Sequence, residues 1–286
     1  MKQSSPAKQT FLIRDQRLDL SSPQIMGILN ATPDSFSDGG EFNELDDALE
    51  RIASMVANGA SIIDVGGEST RPGSDPVAEK EELNRVIPIL EKAIPQFPDT
   101  FFSVDTTKYK VAKEALNLGT HFINDISGLQ KEPRFADLCL EFDAAYIMMH
   151  SQGNPKNMQD DPSYKNVVND IYHFFEDQLD QLRKKGLENV IVDPGIGFGK
   201  TLDHNLELLA HLDKFKALGH PVMVGASRKS MLGAILNDRP TEGRVTGTVA
   251  LHYDAMRKGA KIIRVHDVKE AHDSLLVYKA ISEKEK

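Results

Sequence analysis

Residues 101–126, FFSVDTTKYKVAKEALNLGTHFINDI, carry the fold in one stretch. An apolar run, FFSVD (101–105), closes on an acid. A polar turn follows, the helical spacing of YKVAKEALNLG ends at Gly119, and a second apolar run, FINDI (122–126), begins almost at once. Strands buried on both faces read as near-continuous aliphatic runs, whereas half-exposed antiparallel strands alternate. Glycine just past a helix supplies its left-handed cap. The stretch therefore reads as strand, polar loop, helix, glycine, strand.

The same punctuation extends in both directions. The remaining apolar runs are QIMGILN (24–30), SIIDVGG (61–67), AAYIMMH (144–150), VIVDPG (190–195), VMVGAS (222–227) and KIIRVHD (261–267). Helical periodicity separates them, as in DDALERIASMVANG, RFADLCLEF, NLELLAHLDKFKALG and RVTGTVALHYDAMRKG, and Gly59, Gly119, Gly186, Gly219 and Gly259 each stand between a helix and the next run. Each run delivers polar groups at its C-terminal end, which suggests one site at one face of a parallel barrel. A doubly wound open sheet gives the same alternation but gathers its ligand at one switch point. Six or more runs ending in candidate site residues favour closure. The expected fold is a single-domain α/β structure, a (β/α)8 TIM barrel over residues 24–282. An N-terminal extension (1–23) precedes it, in which residues 1–10 read as disordered and FLIRDQRLDLS (11–21) as a ribbon closing the barrel bottom. A charged tail (283–286) follows.

The length of 286 residues suits one such barrel. One cysteine, Cys139, excludes an intrachain disulfide and any CxxC motif, and its place in RFADLCLEF reads as packing. The net charge of −9 is unlike the basic footprint of a nucleic-acid binder. No apolar stretch approaches the roughly 20 residues that span a bilayer. The polar start MKQSSPAKQT lacks a signal peptide's apolar centre, so a cytoplasmic location is expected. An anionic substrate would have to be drawn by a few local cations.

Several motifs fail. PGIGFGKT (194–201) resembles a phosphate-binding loop but has Pro194 where the first glycine belongs. No G-x-G-x-x-G opens a helix after the first run, no H-E-x-x-H or similarly compact zinc spacing occurs, and there is no G-x-S-x-G elbow.

What remains is a ring at strand ends. Asp105, Asn124 and Asp193 suit a flat heterocycle with amino and ring N–H donors, or else serve as caps and strand-end turns. Without ligand they would rely on water for partners. A cationic set, Arg71, Arg228, Lys229, Arg264 and His266, gathers in the second long loop, just after the seventh run and on the eighth, where barrels often bind phosphate. Alternation along IIRVHD puts Arg264 and His266 on one face, to meet either a phosphate or a barrel aspartate. Asn30, before a loop rich in Asp and Ser, is the kind of sparse ligand magnesium accepts beside phosphates. Three connections, 31–43, 68–79 and 151–163, are long and polar enough to be functional loops.

Taken together, MGILNATPDSFSDGG (26–40), IIDVGGESTRPG (62–73), SVDTTK (103–108), NDISG (124–128), MMHSQGNPKNMQ (148–159), VDPGIGFGK (192–200), GASRKSMLG (225–233) and RVHDV (264–268) resemble the dihydropteroate synthase family. They occur in the family's order over most of the chain. The resemblance implies a (β/α)8 barrel that condenses 6-hydroxymethyl-7,8-dihydropterin pyrophosphate with p-aminobenzoate and releases pyrophosphate. Carried over motif by motif, it implies a pterin pocket of Asp105, Asn124, Met149, Asp193, Lys229 and Arg264. It implies a pyrophosphate site of Asn30, Arg71, Arg264 and His266, with a Mg2+ cofactor on Asn30. The aminobenzoate site would be Thr70, Arg71, Pro72, Phe198 and Ser227, under lid loops carrying Asp34, Ser35 and Phe36. Asp105, Lys229, Arg264 and His266 would be the catalytic groups. The family also implies a homodimer, for which RVTGTVALHYDAM and EAHDSLLVYKAI offer faces. Ala31 and Ser151 stand where the family commonly has valine and methionine, and Ile196 where it commonly has phenylalanine; no implied role rests on them. PGIGFGK shows no insertion beside Phe198, unlike sulfonamide-resistant relatives, so sulfonamides are expected to inhibit.

Two other readings use the same residues. A methyltetrahydrofolate-binding methyltransferase domain would share the pterin readers but has no use for the cations. A non-catalytic pterin-binding module would tolerate damage to the phosphate or aminobenzoate set, and every member is present.

Overall fold

A computed structural model describes residues 9–31, 41–69, 74–153, 158 and 161–285, with residues 41–44 described by their backbone alone. A hairpin comes first, β1 (Thr10–Ile13) paired antiparallel with β2 (Gln16–Asp19). Eight parallel strands then close a barrel: β3 (Gln24–Asn30), β4 (Ile62–Gly66), β5 (Phe101–Asp105), β6 (Phe122–Asp125), β7 (Ala145–Met149), β8 (Val190–Asp193), β9 (Val222–Val224) and β10 (Ala260–Val265), with β10 pairing back to β3. The ribbon starts at Thr10, inside the stretch read as disordered.

The helices between them are α1 (Glu41–Ala57), α2 (Glu79–Gln96), α3 (Tyr109–Asn117), α4 (Phe135–Glu141), α5 (Val167–Lys185), α6 (Leu202–Ala210), α7 (Ser230–Ile235), α8 (Val245–Arg257) and α9 (Val268–Ser282). All five glycines read as helix stops have positive φ, from 75° at Gly219 to 109° at Gly119. The periodicity of NLELLAHLDKFKALG does not make one helix: α6 ends at Ala210, and 212–218 continue as a 3-10 turn.

Alternation along each strand sorts two cores. Outward residues such as Ile63, Val65, Phe102, Val104, Ile123, Tyr146, Val192 and Ile263 pack under the helices. Inward residues at the strand starts, Met26, Ile62, Phe101, Phe122, Ile147, Ile191, Met223 and Ile262, form a separate cluster with Phe11, Ile13, Leu18 and Leu20 of the hairpin. The hairpin thus plugs the bottom of the barrel with side chains. Cys139 is buried in the outer core, and burial pushes its thiol pKa up, as a packing residue requires.

Candidate active site

Two residues further along the same inward faces, the chemistry changes. Ile62 is followed by Asp64 and Gly66, Phe101 by Ser103 and Asp105, Phe122 by Asn124, Ile147 by Met149, Ile191 by Asp193 and Ile262 by Arg264. Register then groups them: Gly66 lies beside Asp105, Asp105 beside Asn124, and Met149 beside Asp193. Glycine at 66 matters because a Cβ there would sit 3.3 Å from the Asp105 Cβ, crowding the acid.

Arg264 lies at the centre of this array. Its Nε donates to Asp64 Oδ2 at 2.6 Å and its Nη2 to Asp105 Oδ2 at 2.7 Å. Asn124 Nδ2 donates to the same Asp64 oxygen at 2.8 Å. Its anions are therefore carboxylates of the barrel, the internal-ion-pair alternative left open by the sequence. Asp105 and Asn124 find partners in the protein, contrary to the expectation that they would depend on water. Burial raises the Asp105 pKa to about 7 against the pull of Arg264, with Asp64 adding to the rise. Burial also works against the Arg264 charge, but Asp64 and Asp105 outweigh it and hold its pKa above the ordinary value.

Asp64 is the functional candidate that reading the sequence missed. It is fully buried, and its Oδ1 has no hydrogen-bond partner among the described residues. The available signal was a carboxylate inside the aliphatic run SIIDVGG, a costly placement unless it is paired or used.

Asp193 lies across the mouth. Its Oδ1 accepts the Gly195 N–H at 2.8 Å, and burial raises its pKa against that bond and the nearby charges of Lys229 and Arg264. Lys229 Nζ donates to the Ile196 carbonyl at 2.6 Å and stands 3.9 Å from the centre of the Phe198 ring, a cation–π contact. Burial lowers its pKa to about 7, with Asp193 opposing the drop. Phe198 packs with Met149 and Met158 as an apolar patch distinct from the two main cores.

Ser227 and His266 meet on the third side: the Ser227 Oγ accepts the His266 N–H at 3.2 Å and lies 3.0 Å from His266 Nδ1. His266 stands just beyond β10 rather than on it, and is exposed. Arg228 does not join the cations of the mouth. With φ of 55° it turns aside, and its guanidinium makes a bidentate pair with Asp267. That pair ties the turn after β9 to the start of α9. Asn30 ends β3 beside Gly66. Thr70, Arg71 and Pro72 and the loop residues Asp34, Ser35 and Phe36 lie outside the described residues.

Among the described residues there is no group of three or more His, Cys, Asp or Glu that would hold a metal. Asn30 alone offers a single neutral oxygen. That fits a magnesium ion drawing most ligands from a diphosphate and water, and does not fit a metal caged by protein.

Comparison with known proteins identifies the family. Residues 26–266 match the family described as pterin binding enzyme. The chain is similar to the dihydropteroate synthase of Haemophilus influenzae, 49% identical over 265 residues, covering 92% of this chain and 95% of that one. Among solved structures it resembles the Yersinia pestis dihydropteroate synthase with a sulfonamide drug complex, at TM-score 0.89 and 46% identity, covering 96% of this chain and 99% of that one. It also resembles the Xanthomonas albilineans dihydropteroate synthase in complex with 7,8-dihydropteroate, at TM-score 0.86 and 35% identity, covering 96% and 98%.

Proposed function

The chain belongs to the pterin-binding enzymes and, among them, to the dihydropteroate synthases, and from that premise we propose how its barrel mouth divides the work of the reaction. The reaction is a transfer: 6-hydroxymethyl-7,8-dihydropterin pyrophosphate and p-aminobenzoate condense to 7,8-dihydropteroate, and pyrophosphate leaves. The observation that carries the assignment of roles is the inward ring of Asp64, Asp105, Asn124, Asp193, Lys229 and Arg264 directly above an apolar floor. A flat, donor-rich pterin fits that ring. Asp193 and Asn124 read its aminopyrimidine edge, Lys229 donates to the ring oxygen and nitrogen, and the planar Arg264 guanidinium lies on the ring face. Asp64 Oδ1, a buried acceptor without a partner among the described residues, extends that reading edge.

The aniline nitrogen of aminobenzoate is a weak nucleophile, so the site must make the pterin methylene carbon electrophilic. The C–O bond to the diphosphate breaks, the C–N bond forms, and the aniline nitrogen gives up a proton. Asn30, Arg71, Arg264 and His266 hold the departing diphosphate; a magnesium ion at Asn30 supplies further positive charge to it when bound. Asp105 lies beside the ring and stabilises the positive charge that develops there. Phe198 and Ser227, with Thr70, Arg71 and Pro72, seat the aminobenzoate. This is positioning and electrostatics more than proton transfer. The loops carrying Asp34, Ser35 and Phe36 exclude water from a hydrolysable cation. The Yersinia pestis relative is described with a sulfonamide drug complex, and sulfonamides, as aminobenzoate mimics, are proposed to inhibit this enzyme.

We propose further that it works as a homodimer in the cytoplasm. Leu276, Val277 and Ile281 of α9 are 51%, 54% and 43% exposed, an aliphatic face suited to a second copy. Among the described residues no helix is long and apolar enough to cross a membrane.

The test is pyrophosphate release by the purified protein. It should require both substrates and magnesium. Intact pterin binding without release would favour the non-catalytic module, and release without aminobenzoate would point to a different transfer.

A further inference from the structure

The loops after β7 and β8 converge on a buried lysine with no part in the scheme above. Lys200 is 2% exposed. Its Nζ donates to the Phe198 carbonyl at 2.9 Å and to the His150 carbonyl at 3.2 Å, and stands 3.2 Å from His150 Nδ1. Burial, with the Lys200 charge adding to it, lowers the His150 pKa to about 3, so the ring is neutral and able to accept. Two glycines let the loop backbones interlock at this point. A Cβ on Gly195, at φ of 70°, would overlap the His150 carbonyl oxygen, and one on Gly199, at φ of 61°, would overlap the Gln152 carbonyl oxygen. Tyr164 adds a bond across the same seam, its Oη donating to the Gly199 carbonyl at 2.8 Å.

An ammonium buried with, among the described residues, only carbonyls and an imidazole as hydrogen-bond partners is costly to desolvate. Burial lowers the Lys200 pKa to about 7, and Asp193 opposes that shift. What the placement secures is geometry. One partner belongs to the loop that leaves Met149, and another is Phe198 itself. Phe198 packs on Met149 and Met158 and carries Lys229 over its ring. The Asp193 carboxylate is fixed by the Gly195 N–H within the same turn.

We propose that Lys200 is a positioning residue for the condensation: its ammonium clamps the loops after β7 and β8 and so sets Phe198, the aminobenzoate wall, against the Met149–Asp193 floor of the pterin pocket. The proposal rests on the dihydropteroate synthase reading of the site. It distinguishes two kinds of failure. Loss of the clamp misplaces Phe198 while leaving the β8 carboxylate on its strand, so aminobenzoate suffers before pterin.

The test uses three variants of the full chain. Lys200→Met keeps the stem and removes the ammonium. His150→Leu removes one acceptor and leaves both carbonyls. Phe11→Leu, at the opposite end of the barrel, is a control for lost stability alone. Kinetics give the aminobenzoate KM, calorimetry gives the Kd of the pterin pyrophosphate, and a thermal melt gives the folded fraction. Lys200→Met should raise the aminobenzoate KM by about tenfold or more while the pterin Kd moves by less than about threefold. His150→Leu should shift in the same direction by a smaller factor, and Phe11→Leu should lower Tm with both constants unchanged. An aminobenzoate KM within about twofold of wild type in folded Lys200→Met, or both constants moving together, would overturn the proposal. If Lys200→Met does not fold, the same criteria applied to His150→Leu decide. Wild-type protein in the same assay separates the outcomes: no pyrophosphate release there sinks the enzymatic reading, whatever the variants do.

Discussion

The two ends of this barrel are built from the same strands and differ in everything else. At the bottom, Ile62, Phe101, Phe122, Ile191 and Ile262 point inward against Phe11, Ile13, Leu18 and Leu20 of the hairpin in a hydrophobic cluster, with His121 edge-on to Phe101. Two residues higher on four of these strands and four higher on β5, about 7 to 13 Å along, the inward positions are Asp64, Asp105, Asn124, Asp193 and Arg264. The bottom gains free energy from burial, roughly 25 cal/mol for each Å2 removed from water. The mouth gives some of it back, because its carboxylates are buried, one Asp64 oxygen has no partner among the described residues, and burial raises the Asp105 and Asp193 pKa values. The contrast teaches a division of labour: stability resides at one end, and the poorly solvated charges that make a site reactive are kept at the other.

That division can be broken from either side. The largest effect is expected from Phe11→Ala. It should open a cavity in the plug and cost about 3–5 kcal/mol in chemical denaturation, with KM values unchanged in the folded fraction. Asp105→Asn is the mirror image. Steady-state kinetics should show a loss of about 10²–10³ in kcat, while Tm holds or rises because a penalised buried carboxylate has been neutralised.

Opposed pH slopes give a finer test. Near the bottom, His121 accepts the Phe102 N–H through Nδ1 at 3.1 Å, and burial, reinforced by Arg14, lowers its pKa to about 4. Between pH 6.5 and 4 the unfolded chain takes up a proton there that the folded chain refuses, so stability falls with pH by up to roughly 3 kcal/mol. Asp105 has the opposite sign. Its pKa is raised to about 7, so the folded chain binds a proton first and stability is regained as pH falls from 7 toward 4. Urea midpoints across this range should fall more steeply in Asp105→Asn and flatten in His121→Asn; equal slopes would contradict the pairing. The smallest effect is at the rim. Ser227→Ala removes the acceptor of the His266 N–H and should raise the aminobenzoate KM about fivefold, near 1 kcal/mol.

Most of this architecture could be read from the chain. The barrel strands announce themselves because both faces are buried, and each run from QIMGILN to KIIRVHD falls on an observed strand to within a few residues. Asp105, Asn124, Met149, Asp193 and Arg264 lie toward one mouth, since period two along a parallel strand fixes which residues point inward, and Phe198 and Lys229 reach it from the loops after β8 and β9. What the chain withheld depends on neighbours distant in sequence. Arg264 meets Asp64 and Asp105 only through barrel closure, 200 and 159 residues away. Asp64 escaped notice because a single carboxylate inside an aliphatic run looks like part of the strand. Arg228 looked like one of the cationic set, and its left-handed backbone sends it to Asp267 instead. GIGFGK resembled a phosphate loop, and its lysine turns inward to the Phe198 and His150 carbonyls instead.

The most direct test of the account is a crystal structure with the pterin pyrophosphate bound. The pterin edge should lie on Asp193 and Asn124, with Asp64 in reach. Arg264 should lie on the ring face and the diphosphate toward Asn30 and His266, all above an undisturbed hairpin plug. A pterin seated outside the strand ends, or a diphosphate that leaves Arg264 and His266 untouched, would contradict it.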